Sequence, residues 1–156
     1  MGDALVLELR DLAATHGLAT RLAGVLRGGD LIALRGDLGV GKSELARAVI
    51  RARASAELEV PSPTFTIMQD YPLAGLTIRH IDLYRIADPD ELLELGLEEA
   101  PAEDEAWLVE WPERAEGRLT GAILEITLEE TTSPSARTAH LSGDTSWTTR
   151  MATLAP

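Results

Sequence analysis

The chain has 156 residues, 26 of them acidic and 14 basic, for a net charge of −12. That length suits a single domain spanning 1–156 with one proper hydrophobic core, and such a surface repels phosphate backbones, which argues against tight direct binding of RNA or DNA. There is no cysteine for a disulfide or thiolate metal site, no apolar run near the roughly 18 residues that span a bilayer, and no export-signal pattern in the acid-bearing stretch Met1–Arg10. A cytoplasmic protein with no membrane contact is expected.

Taken in chain order, Leu5–Leu9 alternates like a short strand, and Ala13–Leu26 follows as an amphipathic helix with Leu18, Leu22, Val25 and Leu26 on one face. Gly28-Gly29 ends it. Leu31–Leu34 is an apolar run between Gly29-Asp30 and Gly36, suiting a strand buried on both faces. Ser43–Ala54 is helical again, and the two prolines of Val60–Pro63 impose an extended loop. Phe65–Tyr71 and Leu76–Ile81 read as a hairpin joined at Pro72–Gly75. Asp88–Gly96 carries a capping Asp, a Pro at the first helical position and a stop at Gly96. Ala106–Glu110, Ala122–Leu128 and Thr138–Leu141 are strands, and from Asp144 onward the pattern weakens enough to expect fraying. Strands alternating with helices predict a three-layer α/β domain with a partly parallel core sheet.

Gly36-Asp37-Leu38-Gly39-Val40-Gly41-Lys42-Ser43 matches G-x-x-x-x-G-K-[ST] in full. Its glycines let successive backbone N–H groups turn inward around phosphate oxygens. Lys42 is placed to reach the β- and γ-phosphates, the Ser43 hydroxyl to bind Mg²⁺, and the following helix offers its N-terminal partial positive charge. A shuffled chain of this composition would show the motif on the order of once in a thousand times, and here an apolar strand precedes it and a helix follows, as the mechanism requires. Thirteen of the basic residues are arginines, and the single lysine is Lys42. The expected ligand is ATP with magnesium.

Such a loop needs an acid at a nearby strand end to help hold the magnesium or to orient the attacking water. Asp82 follows Leu76–Ile81, and Glu110 follows Trp107-Leu108-Val109. Either fits either role. Thr64 and Thr66, on a proline-stiffened loop, fit a γ-phosphate sensor or ordinary strand-edge threonines equally well. His80 is expected to be a satisfied, partly buried side chain.

The set GDLGVGKS, PSPTFT, HIDLYR with DPDELLELGLEE, and VEWPER, in this order, resembles the TsaE family over about Leu12 to Gly143. That family is the bacterial ATPase of tRNA threonylcarbamoyladenosine biosynthesis. The resemblance implies a small P-loop NTPase-like domain whose mixed sheet adds antiparallel strands to a parallel core. It implies an auxiliary ATPase, weak alone, that binds the TsaD and TsaB proteins; their assembly modifies the N6 of adenosine 37 in tRNAs reading ANN codons. Contact with tRNA would run through those partners. It further implies phosphate contacts from Leu38, Gly39, Val40, Gly41, Lys42 and Ser43, with Ser43 on Mg²⁺. Asp82 would take the Walker-B-like place and Glu110 would be a magnesium-linked or water-orienting acid. Trp111 would lie near the nucleotide or the partner-responsive region, or equally serve a structural role, with Thr64 in a switch-like loop and Thr15 toward the adenine. Ser43 stands where the family more often has threonine and Val40 where alanine is usual, neither of which alters the chemistry. The segment after Glu129 is too loosely patterned for residues to be carried over, so Arg137, which could reach a phosphate, is not assigned to one.

Other readings make different demands. A metabolite kinase wants an arginine-bearing lid, and Arg85 and Arg114 are isolated. A GTPase commonly uses N-K-x-D, yet the chain contains no asparagine and no second lysine. A nucleotide-gated scaffold would bind ATP and recruit partners with hydrolysis incidental.

Overall fold

The computed structural model describes residues 4–54 and 67–156. The extended loop Val60–Pro63 and the switch-like Thr64 and Thr66 fall outside the described residues. In chain order the strands are β1 (Ala4–Leu9), β2 (Asp30–Arg35), β3 (Met68–Leu73), β4 (Leu76–Asp82), β5 (Glu105–Glu110), β6 (Ala122–Glu130) and β7 (Arg137–Gly143). The helices are α1 (Leu12–Val25), α2 (Lys42–Arg53), α3 (Glu91–Glu94) and α4 (Thr148–Met151), with a 3-10 turn at Pro112–Ala115.

The seven strands form one sheet in the order β1-β7-β6-β2-β5-β4-β3. Its core is parallel: β2 pairs with both β5 and β6, and β4 with β5. Antiparallel strands flank it on either side, β7 and β1 on one and β3 on the other. Edge strand β3 carries Pro72, which an edge tolerates because its missing N–H deprives no inner ladder. The expected mixed sheet is therefore what forms.

Period-two alternation divides the strands between two apolar layers. Ile32, Leu34, Ile78, Leu108, Leu124 and Ile126 face α1 and α2, where Leu18, Leu22, Leu45 and Ile50 meet them. Leu31, Ala33, Ile81, Trp107 and Val109 face the other way, against Leu92 of α3 and Ala115 of the 3-10 turn. Each such fully buried leucine or isoleucine contributes about 1.5–3 kcal/mol of transfer free energy. Helix α1 starts where Asp11 caps it, its side chain accepting from Ala14 N–H at 2.8 Å. At its other end, Arg53 donates to the carbonyls of Ala23 at 2.8 Å and Leu26 at 2.7 Å, tying the end of α2 to the end of α1.

Two expectations are corrected. Asp88–Gly96 forms a helix only over Glu91–Glu94, one turn. Its N-cap is Asp90, which makes no side-chain cap bond, while Pro89 precedes the helix and Asp88 accepts from Asp90 N–H at 2.9 Å in the turn before it. Residues after Asp144 do not fray. Trp147 and Leu154 are fully buried, and the Trp147 indole N–H donates to the Ala122 carbonyl at 2.9 Å. Arg150 stacks on that ring and pairs with buried Asp30 through contacts of 2.6 and 2.9 Å. Packing anchored by one tryptophan leaves no periodic trace in so short a segment.

Candidate functional site

The phosphate loop sits at the C-terminal end of β2, running directly into α2. Gly36, Gly39 and Gly41 all have positive φ, at 138°, 81° and 120°. Gly36 is the tightest. A Cβ there would lie 2.6 Å from the Leu128 carbonyl oxygen and 2.8 Å from Val40 Cγ1, so only glycine lets the turn close against β6. Val40 is buried beneath the turn, while Leu38 stands exposed at its tip.

Lys42 folds back into the loop. Its ammonium donates to the Gly36 carbonyl and, at 3.0 Å, to the Asp37 carbonyl, and it lies 3.8 Å from the centroid of the Trp111 ring. Burial pushes the Lys42 ammonium below its ordinary 10.5, against the opposing pull of Glu110, Glu113, Asp82 and Asp37. A positive charge is thus held nearly dry among backbone oxygens and an aromatic face, available to anionic oxygens that compete better than carbonyls.

Period two puts His80 and Asp82 of β4 and Glu110 of β5 on the face that meets α2. Parallel register sets Asp82 beside Glu110. Because β5 lies next to β2, Glu110 arrives under the start of α2, where its Oε1 accepts from the Ser43 hydroxyl at 2.7 Å. Its other oxygen, Oε2, lies 2.7 Å from His80 Nε2. Glu110 and His80 are both buried, at 2% and 0% exposure, so the pair is shielded from water. His80 is therefore more deeply buried than expected, and it belongs to the site. Its position two residues before Asp82 on a strand was the signal that both share a face.

Asp82 is less enclosed. Its Oδ1 accepts from Tyr84 N–H at 2.9 Å, while the Ser43 hydroxyl donates to Glu110. Burial, foremost, raises its carboxyl above the ordinary 3.8, assisted by the Glu110 charge and opposed by the Tyr84 N–H. A raised carboxyl favours the folded state most while protonated, so its contribution declines as pH rises through the folded value. Asp82→Asn is accordingly expected to make the nucleotide-free protein more stable at neutral pH, with the gain vanishing toward pH 3. Urea unfolding at the two pH values checks this.

Trp111 adopts a left-handed backbone conformation, φ 58° and ψ 48°, immediately before Pro112. That costs of order 1–3 kcal/mol and is sustained by packing. The reversal returns the indole over Lys42 and against Tyr84, whose ring centroid is 4.9 Å away. No local rule forecasts a left-handed tryptophan.

Beside the loop, a cavity of about 300 Å³ is lined by Thr15, Val40, Gly41, Leu128, Ser135 and Arg137 among others. Thr15 thus shares this cavity with Val40 and Gly41 of the turn. Arg137 donates to the Val40 carbonyl at 2.8 Å, bracing the β6–β7 connection on the loop; its guanidinium serves backbone oxygens of Pro134 and Ala136 as well.

A magnesium ion suits the donor set at the loop's mouth. Hydroxyl and carboxylate oxygens are the ligands hard cations take, and Ser43 and Glu110 already hold theirs in contact. Among the described residues no cluster of three or more His, Cys, Asp or Glu could hold a metal by itself. Among the described residues no helix is long and apolar enough to cross a membrane.

A strand, glycine turn and helix at the end of a parallel core sheet define the P-loop NTPase-like class of α/β protein. The family model described as threonylcarbamoyl adenosine biosynthesis protein TsaE matches residues 9–139, and the chain belongs to the TsaE family. The tRNA threonylcarbamoyladenosine biosynthesis protein TsaE of Rickettsia felis is 39% identical over 124 residues, 80% of this chain and 72% of that protein. The Bacillus subtilis protein of the same description is 34% identical over 115 residues, 74% of this chain and 71% of its own. The crystal structure of Bacillus subtilis YdiB aligns with a TM-score of 0.75 over 99% of this chain and 95% of that one; at 22% identity it speaks to the fold.

Proposed function

We propose that this chain is an ATP-binding, ATP-hydrolysing auxiliary protein of tRNA threonylcarbamoyladenosine biosynthesis. Membership of the TsaE family supports the pathway. The observation that carries the chemistry is the convergence of Lys42, Ser43 and Glu110 at the loop's mouth. In this reading the backbone of residues 38–43 cradles the phosphates, and Lys42 moves from its carbonyl partners to the β- and γ-phosphates. Ser43 and Glu110 hold the magnesium, which neutralises charge on the phosphate oxygens when bound. Asp82, beside Glu110, orients the attacking water. Water's oxygen bonds to the γ-phosphorus as the bond to the β-phosphate oxygen breaks, releasing ADP and phosphate. The adenine occupies the cavity beside Thr15.

The remaining parts of the reading rest on the family. The protein works in the cytoplasm as one domain, engages the TsaD and TsaB proteins, and meets tRNA only through them. The net charge of −12 accords with a protein that does not grip tRNA itself.

The test separates binding from turnover. Glu110→Gln and Asp82→Asn are expected to keep ATP affinity within a few-fold while lowering hydrolysis by about a hundredfold or more. A variant without hydrolysis that still sustains repeated rounds of tRNA modification would favour a nucleotide-gated scaffold. Phosphoryl transfer to an acceptor in preference to water would make the protein a kinase.

A further inference from the structure

We infer that His80 is a positioning residue that holds Glu110 in its metal-binding orientation, and that this chain's magnesium affinity depends on the hydrogen His80 carries on Nε2. The inference rests on the proposed role of Glu110 and adds a residue to it.

Geometry leaves little freedom in the hydrogen placement. A carboxylate oxygen only accepts, so the 2.7 Å contact between His80 Nε2 and Glu110 Oε2 requires the hydrogen on Nε2. Nδ1 is buried and has no hydrogen-bond partner. A hydrogen there would be an orphaned buried donor, costlier than an orphaned lone pair, so the network assigns the Nε2–H tautomer. His80 is fully buried in the middle of the sheet, where β4 lies between β3 and β5, so the ring cannot swing away without opening the core. It therefore fixes one oxygen of Glu110 and leaves the other directed at Ser43.

The two contacts differ in kind. The Ser43 hydroxyl and Glu110 Oε1 are the pair that a cation would share, so their hydrogen bond is given up on loading. The His80 contact is to the opposite oxygen and survives loading, because nothing competes for it. A carboxylate ligand anchored on its far oxygen needs no reorientation when the cation arrives, and such partners are typically worth 10–100-fold in metal affinity. The orphaned Nδ1 is consistent with a histidine kept for its single N–H.

The test measures metal dependence of nucleotide binding, apart from turnover. Isothermal titration of a non-hydrolysable ATP analogue is run in EDTA and across a magnesium series, with Mn²⁺ binding to the protein–analogue complex read by electron paramagnetic resonance. Wild-type protein should bind the analogue more tightly with magnesium; the absence of that step would overturn the Ser43–Glu110 metal reading itself. Given that step, His80→Leu is expected to raise the half-maximal magnesium and Mn²⁺ concentrations about tenfold, with affinity in EDTA unchanged. His80→Gln, whose side-chain N–H extends to about the Nε2 position, should restore them to within a factor of two to three of wild type. His80→Asn places its N–H near Nδ1 and should behave like leucine, and it makes the same comparison should the leucine variant melt early. In a Glu110→Gln background His80→Leu should add no further shift. An unshifted metal requirement in the leucine and asparagine variants would overturn the inference, as would glutamine shifting as far as leucine.

Discussion

Lys42→Ala is expected to lower nucleotide affinity at least about a hundredfold, on the order of 3 kcal/mol, the cost of removing one member of a buried charge pair. The side chain does not wave in solvent above the loop. It is 4% exposed, held by two loop carbonyls and covered by the Trp111 indole. Phosphate oxygens entering the turn therefore meet a cation that is already desolvated, at a helix start whose N–H groups point the same way. Without that cation, the nearest charges are Glu110, Asp82, Asp37 and Glu113, all repulsive to a nucleotide. The free protein should remain folded, because the lowered Lys42 pKa records that burying the ammonium is itself unfavourable. Lys42→Arg is not expected to restore binding: the planar guanidinium is wider than an ammonium and cannot sit between the two carbonyls and the indole face. Calorimetry on folded variants checks both, and an unchanged affinity in the alanine variant would remove the phosphate-loop assignment.

The largest effect on stability is expected at the other end of the sheet. Trp147→Ala should cost about 3–5 kcal/mol, a substantial part of a typical domain's 5–15 kcal/mol. The indole is fully buried, donates to the Ala122 carbonyl, and supports Arg150 at 3.7 Å from its ring centroid. Arg150 in turn neutralises Asp30, which is completely buried at the start of β2. Truncating the ring leaves a large cavity and loosens the Arg150 cation paired with that carboxylate, and a buried charge without its partner is costly. The phosphate loop lies at the opposite end of β2, so nucleotide affinity of the folded fraction should be unchanged. Urea unfolding gives the first quantity and calorimetry below the transition the second. A loss under about 1 kcal/mol would mean that the C-terminal segment contributes little, as its weak sequence pattern first suggested.

What could be read from residue order alone was local. The loop at Gly36–Ser43 is a contiguous motif whose every position has a backbone or side-chain reason, and its neighbours carry the periods of a strand and a helix. The hairpin of β3 and β4 and the ends of β5 and β6 follow from apolar alternation and turn residues, to within a few positions. Asp82 and Glu110 could be picked out as acids at strand ends, but neither could be preferred over the other. Helix α3 was overestimated because capping signals mark where a helix can start, while its length is decided by what it packs against.

The rest belongs to the tertiary structure. Ser43 and Glu110 are separated by 67 positions and meet because β5 pairs with β2, a choice among parallel partners that no local pattern encodes. The neighbouring pairing of β4 with β5 puts His80 behind Glu110, converts an ordinary strand histidine into the support of a carboxylate, and leaves Asp82 beside the pair. The left-handed turn at Trp111 is sustained by long-range packing of its ring, on Lys42, Tyr84 and the apolar layer beneath. Sequence by itself supplied a glycine-rich loop of the phosphate-binding pattern and the side chains suited to serve it. Only the fold decided which acid reaches that loop, because long-range strand pairing, not chain proximity, sets the distances at which charge and hydrogen bonding act.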